Sequence, residues 1–356
     1  MVYEFYKVKI KDRIQETPES VSLVFDIPNE LKELFHYESG QYINLKIHLD
    51  GQEERRAYSI SSTPALNEDI KITIKDIEGG KVSKYITNSL KDGDEVEVGT
   101  PLGQFTIPGD IPKPARFILI AAGSGITPLF SILNTALNSH PENHVLLFYS
   151  NRTEEGIIFH KPLELLKHQH PNQLKIFNFL SMPNEDWNQF RGRITPEIFS
   201  QLLKENISVE TSIPIEATHF FLCGPNQFMK DIESKIIELK FPSTNIHKES
   251  FTTDASIKPA VEEYEDRVIT LKIYGEELAF VVESDSNVVI SAQNNGIMIP
   301  YSCQIGACST CRAKLISGKV DMTISDGLTQ EEIDRGYVLT CQAHPLTDDV
   351  VLDFDY

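Results

Sequence analysis

The sequence has little positive charge, few cysteines and no long apolar run. Its 356 residues carry 33 Lys and Arg against 52 Asp and Glu, a formal net charge of -19. A chain this acidic has too few cations to neutralise phosphates, so nucleic acid is not an expected ligand. The acidity suits either plain solubility or attraction to a basic protein partner.

The chain also lacks the apolar segments that membranes and secretion require. No run reaches the roughly 18 apolar residues of a membrane-spanning helix. Residues 1–5 lack the basic and then apolar stretch of a signal peptide, so we expect a cytoplasmic location and no membrane partner. Five cysteines in such a chain do not predict a disulfide framework.

Four of the five cysteines have the spacing of a plant-type [2Fe–2S] ligand set. Cys303, Cys308 and Cys311 form C-x₄-C-x₂-C, and Cys341 follows later in the chain. Small residues in the loop, Gly306 among them, let backbone N–H groups approach the sulfurs. Zinc is the alternative, but structural zinc sites usually use two separated C-x₂-C pairs. The spacing therefore predicts that these four cysteines bind a [2Fe–2S] cluster.

Residues 1–110 predict an antiparallel β-barrel. Many short alternating segments with few helices are typical of a closed barrel. Turn signals such as Asp50-Gly51 separate the segments. The predicted strands are 5–10, 21–25, 42–47 and 70–74.

Two motifs in this stretch suit a flavin. Arg56, Tyr58 and Ser59 offer a cation for a phosphate, an aromatic face for the ring and a hydroxyl near the reactive nitrogen. The glycine-rich turn at Gly79-Gly80 precedes a predicted helix, and such a turn is a suitable seat for a pyrophosphate. Each motif alone is equally typical of an ordinary barrel residue set or an ordinary turn.

Residues 111–252 predict a parallel α/β domain. Continuous apolar strands are predicted at 116–122, 145–149, 174–179 and 219–223. The first runs into a glycine turn that opens a helix at 129–133. That turn reads G-x-G-x-x-P, and no acidic residue ends the next strand, so it differs from the Rossmann fingerprint.

Three arginines are candidates for the 2′-phosphate of NADPH. Arg152 follows the second apolar strand, and Arg191 and Arg193 flank Gly192. A surface arginine is the alternative interpretation of Arg152. Cys223 comes after an apolar strand, and we expect a small buried residue that neither joins the cluster nor acts as a nucleophile.

The remaining chain predicts a linker and a ferredoxin-like domain. Residues 253–266 are polar and acidic without periodicity, which is typical of a linker. Segments 268–273 and 277–282 predict a hairpin, and a helix is predicted near 288–294, ahead of the cysteine loop. Residues 267–356 resemble a plant-type ferredoxin of β-grasp (α+β) shape.

The motifs occur in the order found in the ferredoxin–NADP⁺ reductase family, which the chain resembles. These motifs are Arg56-x-Tyr58-Ser59, Gly80-x-x-Ser83, Gly123-x-Gly125-x-x-Pro128 and Cys223-Gly224-Pro225. The resemblance implies a flavin-binding barrel followed by a pyridine-nucleotide domain.

The same resemblance implies roles for individual residues. Arg56, Tyr58 and Ser59 would hold the flavin, which is expected to be FAD rather than FMN. Its phosphates would be lined by Gly80, Lys81, Val82 and Ser83. The nucleotide site would comprise Gly123, Gly125, Thr127, Pro128, Arg152, Cys223, Gly224 and Pro225. Phe251 would bring its ring to the flavin face where nicotinamide docks, beside the Ser59 hydroxyl; a strand residue packed in the core is the alternative.

A C-terminal ferredoxin narrows the resemblance to reductase components of multicomponent oxygenases. Stretches 55–60, 77–85, 336–343 and 349–354 resemble the phenylacetyl-CoA epoxidase reductase family. The resemblance implies a di-iron oxygenase as electron acceptor, although the middle of the Cys303–Cys308 segment departs from that family and leaves the exact partner open.

The implied function is electron transfer from NAD(P)H, with NADPH expected, through FAD and the cluster to the oxygenase. Nicotinamide gives two electrons together and a cluster takes them singly, so a flavin belongs between them. The alternatives are a diaphorase-like reductase, the reductase of a Rieske ring-hydroxylating dioxygenase or a monooxygenase, and a non-catalytic zinc-bound scaffold.

Overall fold

Three successive parts of the chain each form their own sheet. The structure, a computed structural model, describes residues 4–207, 213–251 and 263–356. Most of the predicted linker 253–266 lies outside these ranges. Among the described helices, none has both the length and the apolar character needed to cross a membrane.

The first part is an antiparallel barrel with one helix, as the sequence predicts. Its six strands lie in the order β4-β3-β6-β1-β2-β5, and a bridge between Ile60 and Ile72 joins the two edges. Asp50 and Gly51 both have positive φ, the type I′ geometry that suits a tight hairpin between β3 and β4. The elements are β1 Phe5–Thr17, β2 Ser20–Asp26, β3 Tyr42–Leu49, β4 Gln52–Ser59, β5 Lys71–Lys75, α1 Lys81–Ser89 and β6 Glu95–Gly99.

Alternation along β3 and β4 gives the barrel two different faces. Ile43 and Leu45 are fully buried in the barrel core. Tyr42 and Asn44 alternate with them and therefore point to the opposite face. In the β3–β4 register, Tyr42 lies opposite Ser59. This opposite face is the one that meets the rest of the molecule.

The second part is a fully parallel sheet, which also confirms the predicted class. Its strand order is β10-β9-β8-β7-β11-β12. Helices cover both sides, which is why its central strands are apolar on both faces. The elements are β7 Arg116–Ala122, α2 Ile126–Ser139, β8 His144–Asn151, α3 His160–Gln169, β9 Leu174–Leu180, β10 Phe190–Arg191, α4 Pro196–Ile207, β11 Thr218–Cys223, α5 Asn226–Glu238 and β12 Ile246–Glu249.

The third part is a mixed five-stranded sheet with two short helices and a separate two-stranded ribbon. The sheet order is β14-β13-β19-β15-β17, with β13 parallel to β19, and β16 pairs with β18. The elements are β13 Arg267–Ile273, β14 Glu276–Val282, α6 Val288–Asn294, β15 Arg312–Ser317, β16 Val320–Met322, α7 Gln330–Asp334, β17 Tyr337–Leu339, β18 Ala343–Pro345 and β19 Val351–Asp353.

Candidate functional site

The barrel and the parallel sheet meet where two strands end. Ser59 is the last residue of β4, and Glu249 is the last residue of β12. The Ser59 hydroxyl donates a hydrogen bond to Glu249 Oε2 at 3.1 Å. Burial raises the pKa of Glu249 to about 8, and the Ser59 hydrogen bond only partly opposes that rise. The carboxyl group therefore keeps its proton at neutral pH.

Cys223 lies beside this pair. It ends β11 and is in register with both Ala121 of β7 and Glu249 of β12. The thiol is fully buried, as the sequence predicts, and burial together with Glu249 raises the pKa of Cys223 well above its ordinary value. A thiol that stays protonated in this way is a poor nucleophile.

The glycine turn after β7 closes the same corner of the sheet. A Cβ on Gly125 would lie 2.1 Å from the Cys223 carbonyl oxygen, so only glycine lets the turn pack against β11. The Thr127 hydroxyl donates to the Ser124 carbonyl at 3.0 Å, within the turn. Pro128 is buried in the first turn of α2. The corner lies at the carboxyl edge of the parallel sheet, where such sheets bind ligands.

The candidate arginines Arg191 and Arg152 differ in their hydrogen-bond partners and in their exposure. Arg191 donates to the carbonyl oxygens of Asn184, Glu185 and Trp187, so its guanidinium supports a loop. Arg152 is exposed, and its Nη2 lies 3.6 Å from the sulfur of Met182. Of these two arginines, Arg152 is the one placed to meet a ligand.

The flavin motif does not lie on one face of its strand. Arg56 and Tyr58 share a face of β4, whereas Ser59 points the other way, towards Glu249. Tyr58 packs against the barrel core, and burial raises its pKa. Arg56 is partly exposed, with Nη2 2.9 Å from Glu54 Oε2.

The predicted phosphate-binding site lies at the N-terminus of α1. Gly80 is its N-cap, and a Cβ there would lie 2.5 Å from Ser83 Oγ. The backbone N–H of Ile77 donates to that same Ser83 oxygen, so this hydroxyl stabilises the turn. Val82 is buried against the barrel, whereas Lys81 is exposed and lines a cleft of about 500 Å³ along α1. The N-terminus of α1 and the exposed Lys81 would suit an anionic phosphate.

Phe251 follows Glu249 by two residues. Its side chain is 38% exposed, so the alternative of a core-packed residue is wrong. Its stacking role stays a prediction.

The four predicted cluster ligands lie together in the third part. The Cys303 sulfur lies within hydrogen-bonding distance of the Cys308 and Cys341 sulfurs, and Cys341 also contacts Cys311. The backbone N–H of Cys308 adds a donor 3.4 Å from the Cys303 sulfur. Donors to a sulfur favour the thiolate, which is the form that binds iron.

The four cysteines can be shared between two irons. Within 4–207, 213–251 and 263–356, no three or more His, Cys, Asp or Glu side chains are arranged to hold a single metal ion. In a [2Fe–2S] cluster each iron takes only two protein ligands, so this finding leaves the cluster interpretation intact.

Glycines let two segments approach the cysteine loop closely. A Cβ on Gly327 would lie 2.6 Å from the Cys308 carbonyl oxygen. The N–H of Gly327 donates to the Gly306 carbonyl at 2.8 Å. Gly306 has φ of +77°, and a Cβ there would lie 2.9 Å from Ile324 and from Gln342. The loop is therefore held in a shape that larger residues would disrupt.

The third part of the chain contacts both other parts. The Tyr42 hydroxyl lies 2.9 Å from Thr310 Oγ1, and the Arg55 guanidinium lies over the Tyr301 ring at 4.1 Å. In a separate contact, Asn226 Nδ2 donates to Asp326 Oδ2 at 2.8 Å. Asn226 begins α5, immediately after the Cys223-Gly224-Pro225 segment.

Three family models match successive parts of the chain. The oxidoreductase FAD-binding domain matches residues 7–107, the oxidoreductase NAD-binding domain 119–234 and the 2Fe-2S iron-sulfur cluster binding domain 271–346. One subunit of the 1,2-phenylacetyl-CoA epoxidase of Escherichia coli (strain K12) is 35% identical over 99% of this chain and 98% of its own length. This chain belongs to the family of FAD-, NAD- and [2Fe–2S]-binding reductase components.

Other members of this reductase family are similar over comparable lengths. The ferredoxin reductase component of 3-ketosteroid-9-alpha-monooxygenase from Rhodococcus rhodochrous is 31% identical over 96% of this chain and 94% of its own. The solved structure of phthalate dioxygenase reductase shares the fold, with a TM-score of 0.61, 24% identity and 98% coverage of both chains. This reductase is therefore an NAD(P)H-dependent oxidoreductase with FAD and a [2Fe–2S] cluster, and the zinc scaffold is not supported.

Three residues at the contacts between the parts of this reductase are not predicted as site residues from the sequence. Glu249, Tyr42 and Asn44 carry no local motif, because each acts through a partner far along the chain. The sequence segment around Glu249 was notable only for its neighbour Phe251. The one sequence signal near Glu249 is its position two residues before Phe251, in the segment that the resemblance assigns to nicotinamide docking.

The titration of Glu249 predicts a pH dependence of stability. The folded pKa of about 8 lies above the ordinary 4.5, so between these values the folded protein binds one proton more than the unfolded chain. Stability should therefore fall as pH rises through this window and level off above it. Glu249→Gln keeps an acceptor for Ser59 but cannot titrate. The free energy of unfolding, measured with urea from pH 5 to 9, should therefore fall less steeply with pH in this variant, by up to the equivalent of one bound proton. Parallel slopes in both proteins would contradict the raised pKa.

The packing of Gly327 predicts a selective loss of the cluster. Gly327→Ala would force a Cβ against the Cys308 carbonyl, so iron content and iron–sulfur absorbance should fall several-fold while flavin content stays unchanged. Gly109→Ala is the matched control, because nothing lies within 4 Å of a Cβ there. Full cluster occupancy in Gly327→Ala would show that the loop tolerates the side chain.

Proposed function

We propose that this chain passes electrons from NAD(P)H through FAD and the [2Fe–2S] cluster to an oxygenase of the phenylacetyl-CoA epoxidase type. When bound, FAD supplies the exchange between two-electron and one-electron transfer. The protein supplies orientation, exclusion of water and a protonated carboxyl group at the junction. A location in the reducing cytoplasm suits four cysteines that serve as thiolate ligands.

One cross-strand pair carries this proposal. Tyr42 and Ser59 lie opposite each other on β3 and β4. Ser59 contacts Glu249 at the edge of the nucleotide-binding sheet, and Tyr42 contacts Thr310 in the cysteine loop. The nucleotide-binding part and the cysteine loop therefore contact the flavin barrel at neighbouring positions of β3 and β4.

The proposed electron acceptor rests on sequence similarity to a relative that is part of an oxygenase. The relative from Escherichia coli is named as part of 1,2-phenylacetyl-CoA epoxidase and matches nearly the whole chain. We take the acceptor to be the di-iron oxygenase of that type. The second candidate acceptor is a Rieske-type oxygenase, favoured by the 31% identity to a 3-ketosteroid-9-alpha-monooxygenase reductase.

The proposal predicts a partner-dependent activity. With NADPH, the di-iron epoxidase components and phenylacetyl-CoA, the full chain should support formation of oxygenated product under air. Cys308→Ser should abolish product formation while keeping NADPH-dependent reduction of ferricyanide, because the flavin part remains intact. Product is measured by chromatography, and NADPH consumption by absorbance.

The controls separate the two acceptors. NADPH consumption coupled to a Rieske oxygenase, but not to the epoxidase components, would favour the second candidate. Product formation by Cys308→Ser at the wild-type rate would overturn the route through the cluster.

Arg152 should set the preference for NADPH. An exposed guanidinium at the carboxyl edge of the sheet suits a 2′-phosphate, which NADH lacks. Arg152→Ala should raise the KM for NADPH about tenfold, as expected for the loss of roughly 1.4 kcal/mol of binding, and leave the KM for NADH within about twofold. Arg193→Ala is the companion variant, and a selective effect there instead would reassign the contact.

A further inference from the structure

We propose that Tyr42 is a positioning residue for the cluster: through Thr310 it directs a hydroxyl proton onto the sulfur of Cys308 and so raises the reduction potential of the cluster. The inference rests on the proposed function in one respect, that the four cysteines hold a [2Fe–2S] cluster. A hydrogen-bond network connects the barrel to the cysteine loop and supports the inference.

The network centres on the Thr310 hydroxyl. The Tyr42 hydroxyl oxygen lies 2.9 Å from Thr310 Oγ1, and Asn44 Nδ2 donates to the same atom at 3.4 Å. On its other side, Thr310 Oγ1 lies 3.4 Å from the Cys308 sulfur. A threonine hydroxyl has one proton to donate and two lone pairs that accept.

These capacities determine the direction of each hydrogen bond. A cysteine that ligates iron is a thiolate, which only accepts. If Tyr42 and Asn44 fill both lone pairs of Thr310, the single Thr310 proton points to Cys308. Ser309 Oγ lies 3.4 Å from the Tyr42 hydroxyl and can donate to it. In the proposed network the Tyr42 proton is directed to Thr310 Oγ1, 2.9 Å away.

Tyr42 is held rigidly in this position. Its backbone exchanges hydrogen bonds with Leu102 at 2.8 and 2.9 Å. Its ring lies against Gly103, where a Cβ would come within 3.0 Å of the ring carbon Cδ1. Tyr42, Thr310 and Cys308 are each less than 9% exposed, so water cannot replace their hydrogen bonds easily.

The network couples docking to redox chemistry. Hydrogen bonds to ligand sulfurs stabilise the additional negative charge of the form that holds one more electron, and this raises the reduction potential. Tyr42 and Asn44 belong to β3, whereas Thr310 belongs to the cysteine loop. The cluster therefore accepts an electron more readily because its loop is docked on the barrel.

The test is the midpoint potential of the cluster in the full-length holoprotein, measured by EPR-monitored redox titration. Tyr42→Phe keeps the ring and removes only the hydroxyl, and it should shift the potential in the negative direction. Tyr37→Phe is the matched control: the Tyr37 hydroxyl makes a similar buried hydrogen bond to Ser62, 2.9 Å away, but within the barrel. Tyr37→Phe should leave the potential unchanged.

Variants of Thr310 complete the test. Thr310→Val should shift the potential at least as far as Tyr42→Phe, Thr310→Ser should restore it, and Tyr42→Phe added to Thr310→Val should shift it no further. A wild-type potential in Tyr42→Phe, or additive shifts in the double variant, would overturn the proposal. Wild-type protein without iron–sulfur absorbance would instead overturn the proposed function, so the two failures are distinguishable.

Discussion

The cross-strand pair of Tyr42 and Ser59 is the contact on which the arrangement of the molecule depends. Residues opposite each other on neighbouring antiparallel strands project their side chains from the same face, a few ångströms apart. Here one side chain reaches the cysteine loop and the other reaches the end of the parallel sheet. A one-residue slip in the β3–β4 register would turn one of them into the barrel core and break one of the two junctions.

The two junctions differ in charge. At the nucleotide side, burial keeps Glu249 and Cys223 protonated and therefore neutral. At the cluster side, the four cysteines become thiolates when they bind iron, and the backbone N–H of Cys308 donates to the Cys303 sulfur. Uncompensated buried charge is costly, so the buried groups of the first junction are neutral, whereas thiolates at the second need the hydrogen-bond donors of their loop.

The order of the motifs is visible in the sequence, but the directions in which their side chains point are decided by the fold. The barrel, the parallel sheet and the hairpin at 267–282 follow from apolar alternation and turn residues. The short strands β6, β10, β12 and β15 to β19 are not predicted, since two to six residues carry too little periodicity to be distinguished from loops. Ser59 was grouped with Arg56 and Tyr58, although strand alternation places it on the opposite face. Arg191 resembled a phosphate ligand but supports a loop through three carbonyl oxygens.

The sequence by itself determined the iron–sulfur ligands, because their spacing is a local chemical requirement, and the order of the other motifs implied the flavin and the nucleotide through family resemblance. It also determined the class of each domain. Tertiary structure alone decided which residues meet at the junctions. Ser59 and Glu249 are 190 residues apart, and Tyr42 and Thr310 are 268 apart. Contacts over such separations depend on how complete domains pack, and they leave no periodic or motif signal in a single chain.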